Sequence, residues 1–209
     1  MKRGLFITLE GPDGSGKSTQ IGYLKEYFAE KGMECVFTRE PGGTDIGEKL
    51  RSIILDKDNN EMSDMTEALL YAASRAQHVS QLIGPALDAG KTVVCDRFVD
   101  SSIAYQGYGR RLGDCVRVIN GYAVMGCMPD VTFLIEVDPK IGKARIDTQD
   151  QDRLESEKMR FHNCVYKGYR KMAENEPDRI IPIDGTASRE DMRREIAGHL
   201  DRLFADRDK

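Results

Sequence analysis

Short apolar runs alternate with longer amphipathic segments along this chain. The apolar runs are rich in β-branched and aromatic side chains, which is typical of β-strands. The first run has no polar alternation, as expected of a strand that is buried on both faces. Pro182 interrupts the last run and favours an edge position, because proline cannot donate a hydrogen bond to a neighbouring strand. The pattern predicts strands over residues 5–9, 35–38, 92–95, 131–135 and 180–183.

Between these runs, apolar residues recur at helical spacing. Two pairs of polar residues resemble capping boxes that mark helix starts: Asp64 with Glu67, and Ser188 with Asp191. Gly32 suits the end of the first helix. The pattern predicts helices over residues 17–31, 46–55, 64–89, 114–125, 139–145, 155–174 and 188–204.

Alternating strands and helices indicate the α/β class, with right-handed crossovers and a five-stranded, mostly parallel sheet covered by helices on both faces. With 209 residues, the chain fits one domain over residues 1–209. Ligands of such sheets bind at the carboxyl ends of the strands. We therefore expect the chemistry just after Glu10, Thr38, Cys95, Val137 and Ile183.

Composition narrows the classes of function. The chain is 40% hydrophobic and 32% charged, with a formal net charge of −4, so we expect no nucleic-acid partner. No apolar run approaches the length of a membrane span, and the first ten residues lack the pattern of a signal peptide, so we expect no membrane partner. Five cysteines without a C-x-x-C pair read as reduced thiols, which favours a cytoplasmic location.

A glycine-rich motif lies between the first predicted strand and the first predicted helix. It matches G-x-x-x-x-G-K-[ST], in which backbone N–H groups and the helix N-terminus face phosphate oxygens. We expect Lys17 to bridge the β- and γ-phosphates of ATP and the Ser18 hydroxyl to bind Mg²⁺. The class is then a three-layer P-loop NTPase fold. The expected ATP-binding residues are Gly11, Pro12, Asp13, Gly14, Ser15, Gly16, Lys17 and Ser18.

Asp96 and Arg97 directly follow the third strand. A carboxylate there can hold Mg²⁺, and the adjacent guanidinium can clamp a phosphate in bidentate fashion. The alternative is a helix-capping aspartate beside a surface arginine. A second pair, Tyr71 and Arg75, shares a helix face, and together the two side chains could stack on and hydrogen-bond a flat base. Taken alone, that pair fits a core tyrosine and a solvated arginine better.

Six segments together resemble the thymidylate kinase family, in its order and spacing and over nearly the whole chain. They are residues 9–11 (LEG), 38–44 (TREPGGT), 71–78 (YAASRAQH), 96–98 (DRF), 104–107 (AYQG) and 152–155 (DRLE) followed by Tyr169. The resemblance implies transfer of the ATP γ-phosphate to dTMP, with Mg²⁺, in dTTP synthesis. It also implies a homodimer that packs long helices such as 64–89 together.

The resemblance assigns roles to single residues. Arg97, helped by Arg39 and Arg51, would hold the dTMP phosphate, and Asp13 would meet the 3′-hydroxyl of the sugar. Tyr105 would disfavour ribonucleotides. The residues implied at the base are Tyr71 (stacking), Arg75 (O4), and Gln106 with Ser101 or Ser102 (polar edge).

One departure from the family concerns the transition state. Members without a basic residue in the phosphate loop usually carry several arginines in a lid, yet here the loop has none and the lid, about residues 145–154, is short and acidic. A cation beside the transferring phosphoryl group is worth about 10³–10⁵ in rate. Arg145 and Arg153 are therefore the lid candidates, alongside Lys17 and Arg97, for the catalytic residues.

Two other functions stay open from sequence. The first is a P-loop kinase for another acceptor, such as dUMP or CMP. The second is a nucleotide-dependent switch module. A switch of the GTPase type would need an N-K-x-D segment, which the sequence lacks, and its single D-x-x-G match lies inside the phosphate loop.

Overall fold

The computed structural model describes residues 2–146 and 152–207. Its five strands form one sheet in the order β2-β3-β1-β4-β5, and every strand pair is parallel. The predicted sheet is therefore confirmed, and β5, which contains Pro182, lies at an edge as expected. The strands are β1 (Phe6–Glu10), β2 (Cys35–Arg39), β3 (Thr92–Asp96), β4 (Val131–Glu136) and β5 (Ile180–Asp184).

Each strand continues one residue beyond its predicted end. Sequence patterning stops at the last apolar side chain, whereas the backbone ladder continues through the next residue whatever its side chain. These final residues are all charged, so the carboxyl edge of the sheet is a row of ionisable groups. They are Glu10, Arg39, Asp96, Glu136 and Asp184.

Side chains that alternate along the central strands fill two separate cores. Phe6, Val93 and Leu134 belong to one core, and their chain neighbours Ile7, Val94 and Phe133 belong to the other. Because all six are almost fully buried, the sheet is covered on both faces. This is the three-layer arrangement predicted for the fold.

The helices are α1 (Lys17–Glu30), α2 (Asp45–Leu55), α3 (Asp64–His78), α4 (Gly84–Asp88), α5 (Val99–Ser102), α6 (Cys115–Val124), α7 (Pro139–Ile146), α8 (Met159–Asn175) and α9 (Arg189–Arg207). Among the helices that the structure describes, none combines the length and apolar character needed to cross a membrane.

The long helix predicted over residues 64–89 is one helical run with a wider middle. A π-helical stretch, Val79–Ile83, connects α3 to α4. It ends two residues before Pro85, which has no N–H to donate to the carbonyl four residues earlier. The predicted long helix is therefore present, with a π-helical stretch inside it.

The sequence pattern assigned no element to residues 99–109, but the structure is helical there. The short helix α5 leads directly into a π-helical segment, Ile103–Gly109, which packs against α8. Gly168 permits this contact, because a Cβ there would stand 2.8 Å from the Tyr108 ring. The segment carries the buried side chains Tyr105 and Gln106. The start predicted for α8 at residue 155 was also early, since α8 begins at Met159.

Candidate active site

The phosphate loop connects β1 to α1 and needs glycine for two reasons. Gly11 and Gly14 have φ values of 140° and 72°, which favour glycine. The loop is also tightly packed, because a Cβ on Gly14 would stand 2.2 Å from the carbonyl oxygen of Gly142 on α7. The N-cap of α1, Gly16, supplies no side-chain cap. The helix N-terminus is therefore open to an anion, as the motif predicts.

Lys17 points into this loop. Its Nζ donates to the carbonyl oxygens of Gly11 and Pro12 at 3.1 and 2.9 Å, and the residue is 7% exposed. Burial, and next the charge of Arg97, lower the pKa of Lys17 to about 8, although nearby carboxylates oppose the shift. An incoming phosphate would favour the charged form, so the loop is an anion site with its cation already in place.

Among the described residues of this edge, Asp96 is the one with a buried carboxylate oxygen that lacks a hydrogen-bond partner. Its Oδ1 is buried and has no hydrogen-bond partner in the part of the chain that the structure describes. The helix-capping alternative is not realised, because α5 begins after Phe98 without a side-chain cap. Asp96 and the exposed Ser18 line the same cavity. An unpartnered carboxylate oxygen near a hydroxyl fits the oxygen ligands that Mg²⁺ prefers.

Arg97 connects the ends of β1 and β3. Its Nη1 donates to the Gly11 carbonyl at 2.8 Å and to Ser101 Oγ at 3.2 Å, and its Nη2 pairs with Asp13 Oδ1. Asp13 Oδ2 accepts from the Tyr105 hydroxyl at 2.7 Å, and the guanidinium lies 5.3 Å from the centre of the Tyr105 ring. Burial favours a raised pKa for Asp13, but Arg97 and Lys17 outweigh it and lower that pKa.

Glu10, at the end of β1, accepts hydrogen bonds from several groups. They are the backbone N–H of Phe98 (2.7 Å) and of Ser101 (3.2 Å), the Ser101 hydroxyl (2.6 Å) and the Tyr169 hydroxyl (3.0 Å). Two effects nevertheless raise the pKa of Glu10 to about 7: burial is the larger, and the charge of Asp100 is the second. Glu10 thus anchors the turn that presents Arg97, although burying its carboxyl group is unfavourable.

Arg75 is not a solvated arginine, because it is only 1% exposed. It donates four hydrogen bonds: from Nε to Glu40 Oε2, from Nη1 to Ser102 Oγ and Asn120 Oδ1, and from Nη2 to the Phe98 carbonyl. Its Nη2 also forms an ion pair with Glu40 Oε2 at 2.7 Å. Arg75 and Tyr71 both line the cavity.

Arg39 and Arg51 come together on one backbone oxygen. Nη1 of each donates to the Pro41 carbonyl at 2.9 Å, and Arg39 Nη2 also pairs with Glu48 at 2.9 Å. Both line the cavity on the side of β2.

The two arginines predicted for the lid, Arg145 and Arg153, have different surroundings. Arg145 at the end of α7 donates to the carbonyls of Gly14 and Gly185, at 3.1 and 3.2 Å.

Arg153 faces elsewhere. Its Nη2 pairs with Glu67 at 2.6 Å and its Nε donates to the Ile54 carbonyl at 3.1 Å, and it is not among the described residues that line the cavity. Residues 147–151 of the expected lid lie outside the described residues. Of the two lid arginines predicted for catalysis, the structure brings only Arg145 to the phosphate loop.

One cavity of about 850 Å³ joins these groups. The phosphate loop lies in it together with the ends of β2 and β3, Gly185 after β5, and the Tyr71–Arg75 face of α3. The cavity therefore lies at the carboxyl ends of four strands, where the sequence predicted the chemistry. At the fourth strand in the chain, β4, the contribution comes later, from Arg145 and Ile146.

Three partners of the site were not assigned from sequence. Glu40 and Asn120 bind Arg75, and Glu67 is fully buried beside Gln106. Spacing could have indicated Glu67, because positions 67, 71 and 75 repeat every four residues on α3 and so share a face. Nothing in the pattern of α6 distinguishes Asn120 from an ordinary polar residue.

Fold and site together define a P-loop nucleotide-binding protein. The N-terminus of α1 has no side-chain cap, Lys17 lies in the phosphate loop, and Asp96 Oδ1 at the end of β3 has no hydrogen-bond partner among the described residues. Comparison with known proteins is more specific. The family model described as thymidylate kinase matches residues 9–196. A thymidylate kinase of Exiguobacterium sp. is 47% identical over 203 residues, which cover 96% of each chain.

Another thymidylate kinase, from Halothermothrix orenii, is 51% identical over 93% of this chain and 95% of its own. The crystal structure of thymidylate kinase from Ehrlichia chaffeensis superposes with a TM-score of 0.78 at 33% identity, covering 95% of this chain and 99% of that one. The chain belongs to the thymidylate kinase family, and it is a phosphotransferase.

The raised pKa of Glu10 predicts a pH-dependent stability. Since its pKa is higher in the folded protein than in the unfolded chain, its stabilising contribution is full below pH 4.5 and is lost as pH rises through about 7. Relative to Glu10→Gln, the free energy of unfolding should fall by about 3 kcal/mol over this window. Urea unfolding at a series of pH values measures the difference. Glu34→Gln, at an exposed position, is the control, and a difference between Glu10→Gln and the unmodified protein that does not change with pH would refute the shift.

Proposed function

We propose that this protein transfers the γ-phosphate of ATP to dTMP, giving dTDP and ADP, inside the cavity of about 850 Å³. Membership of the thymidylate kinase family carries the assignment. The structural observation that supports it is that the phosphate loop and the Tyr71–Arg75 face of α3 line the same cavity. Described residues from Asp13 to Met192 contribute to that cavity, which supports one kinase domain.

The donor side is the phosphate loop. Gly11 to Ser18 would cradle the ATP phosphates, and Lys17 would exchange its two loop carbonyls for β- and γ-phosphate oxygens. Such an exchange is favourable because a phosphate oxygen carries negative charge and attracts the ammonium group more strongly than a neutral carbonyl oxygen does. Ser18 and Asp96 would hold Mg²⁺, which supplies charge neutralisation at the phosphates.

The acceptor side is built around Arg97. Its guanidinium, with Arg39 and Arg51 across the cavity, would hold the dTMP phosphate in line with the donor. Asp13 would accept from the sugar 3′-hydroxyl, and Tyr105, fixed by its bond to Asp13, would fill the space next to the 2′ position. Holding both phosphates in position removes much of the entropic barrier.

The base would lie against Tyr71, with its polar edge toward Arg75, Ser102 and Gln106. Ser101 is less suited to this contact, since its hydroxyl donates to Glu10 at 2.6 Å. An oxygen of the acceptor phosphate then attacks the γ-phosphorus while the bond to the β–γ bridging oxygen breaks. The protein contributes position and charge to this step rather than a covalent intermediate.

Negative charge on the transferring phosphoryl group requires nearby cations. Lys17 is the one basic residue of the phosphate loop, so a further cation has to come from another part of the chain. Arg145 is the lid arginine that reaches the loop, and its partners are carbonyl oxygens that a phosphate can replace. Arg153 is held by a buried carboxylate instead. We therefore assign transition-state stabilisation to Arg145 and a structural role to Arg153.

The decisive experiment is an acceptor panel. With ATP and Mg²⁺, dTMP should give the highest kcat/KM among dTMP, dUMP, dCMP and CMP, measured by ADP release. Omission of Mg²⁺ should abolish turnover. If the protein prefers CMP, it is a kinase for another monophosphate. If it hydrolyses ATP at the same rate with and without an acceptor, the switch alternative is favoured.

The two lid arginines give a second prediction. Arg145→Ala should lower kcat by about 10³-fold, because it removes a cation from the transition state. Arg153→Ala should cost melting temperature more than kcat, since it leaves part of a buried carboxylate unpaired. Steady-state kinetics and thermal melting separate the two effects. The reverse pattern would transfer the catalytic role to Arg153.

A homodimer is proposed as well, on the strength of an apolar surface that α3 and α6 present side by side. Its large side chains are unusually exposed for apolar residues; Val118 is 61% and Tyr122 81% exposed. The surface consists of Met65, Leu69, Val118, Tyr122 and Met125. A second copy of the chain would cover it by a two-fold contact.

Sedimentation velocity tests the dimer. The unmodified protein should sediment with the mass of two chains, and Tyr122→Asp should sediment as a monomer because a charge cannot be buried at that interface without a partner. Ile141→Asp is the matched control, because Ile141 is also exposed but lies on α7. Equal masses for both variants would remove this surface from the interface.

A cytoplasmic location completes the proposal. All five cysteines lie in the described part of the chain, and they are free thiols. Free thiols are typical of a reducing compartment.

A further inference from the structure

Glu67 on α3 is a buried carboxylate for which the proposed chemistry has no use. It is fully buried, whereas its position beside the start of α3 predicted a capping role. That prediction was wrong: Ser63 is the N-cap and accepts from the N–H of Thr66 at 3.1 Å. Burying a carboxylate is costly unless it is paired. The partners of Glu67 therefore indicate which side chains it holds in position.

Three side chains donate to Glu67. Arg110 approaches both of its oxygens, at 3.3 and 3.1 Å, and Arg153 pairs with Oε2 at 2.6 Å. Gln106 donates from Nε2 to Oε1 at 2.9 Å. The two guanidiniums balance the charge of the carboxylate, and Gln106 is the partner that faces the cavity.

This contact fixes the orientation of the Gln106 amide. An ionised carboxylate can only accept hydrogen bonds, so the NH₂ end of the amide, and never its oxygen, can face Glu67. The oxygen is thereby turned away from α3. Gln106 is 1% exposed, and its Oε1 is buried without a hydrogen-bond partner among the described residues. A buried acceptor without a donor is unfavourable, which points to a donor on the ligand.

We propose that Glu67 is a positioning residue for base selection: it holds Gln106 as a hydrogen-bond acceptor that requires a ring N–H at position 3 of the pyrimidine. The inference rests on the proposed function, which places the base at Gln106. Thymine and uracil carry that N–H. Cytosine carries a lone pair there, so two acceptors would face each other and neither would be satisfied.

Glu67→Gln is the direct test, because it keeps the shape and removes the constraint. Its own amide can face either end of Gln106, so Gln106 can turn and offer N–H to the base. The kcat/KM ratio of dTMP over dCMP should fall roughly tenfold, the scale of one hydrogen bond of about 1.4 kcal/mol. The ratio of dTMP over dUMP should not change, since both bases carry the same N–H.

Arg110→Gln is the matched control. It removes a charge from the same cluster, including the pairs of Arg110 with Glu157 and Asp64, but leaves Gln106 bonded to Glu67. It should lower the melting temperature without moving the dTMP over dCMP ratio. If Glu67 had a purely structural role, either both variants would change the dTMP over dCMP ratio or neither would.

A double-mutant cycle with Gln106→Leu completes the test. If Glu67 acts through Gln106, then Glu67→Gln should change the dTMP over dCMP ratio no further once Gln106 is replaced. Additive effects would overturn the proposal. Should Glu67→Gln not fold, Glu67→Asp keeps the charge but shortens the reach to Gln106, and it should lower the same ratio.

The wild-type acceptor panel separates the two levels of inference. If the unmodified protein prefers CMP, the proposed function fails. If it prefers dTMP while Glu67→Gln folds and keeps the dTMP over dCMP ratio, the proposed function stands and the role of Glu67 is refuted.

Discussion

The half-buried guanidinium of Arg97 holds the ends of β1 and β3 together by donating to the Gly11 carbonyl and pairing with Asp13. The rest of the site depends on this interaction. Asp13 in turn fixes Tyr105, and Glu10 anchors the turn that carries Arg97. With φ at 66°, Arg97 occupies a left-handed conformation that non-glycine residues rarely adopt. The surrounding hydrogen bonds offset that strain, which suits a residue placed for function.

Six cations in the cavity or in the buried cluster behind it fall into two groups according to their partners. Some donate mainly to backbone carbonyls, which are neutral, so an anionic ligand can replace those partners with a gain in electrostatic energy. Others are tied to buried carboxylates, and exchange would leave a charge without a partner. Lys17, Arg51 and Arg145 are in the first group, and Arg75, Arg110 and Arg153 in the second. Arg97 and Arg39, which are proposed to hold the dTMP phosphate, belong to neither group, because each donates to a backbone carbonyl and also pairs with a carboxylate.

Sequence patterns predicted the five strands, most helices and the phosphate loop, because each depends on local periodicity or a fixed motif. They missed the helical segment after Phe98, where Ile103–Gly109 has no clear period and contains two glycines. They also assigned Glu67 to a cap. Its real partners, Gln106 and Arg153, lie far along the chain, and only the packing of α3 against other elements brings them together. Contacts of this kind have no local signal.

Contacts between distant parts of the chain would also determine which base the site selects. The selection would depend on a buried hydrogen-bond network as well as on the cavity wall. An amide side chain has two ends of nearly equal shape, so by itself Gln106 could offer either a donor or an acceptor. A single acceptor-only neighbour removes that ambiguity, and two arginines pair with that neighbour. The stability that α3, the segment after α5 and the segment after α7 gain from this cluster therefore also defines the chemistry offered to the base. Specificity in this site is a consequence of how the frame satisfies its buried charge.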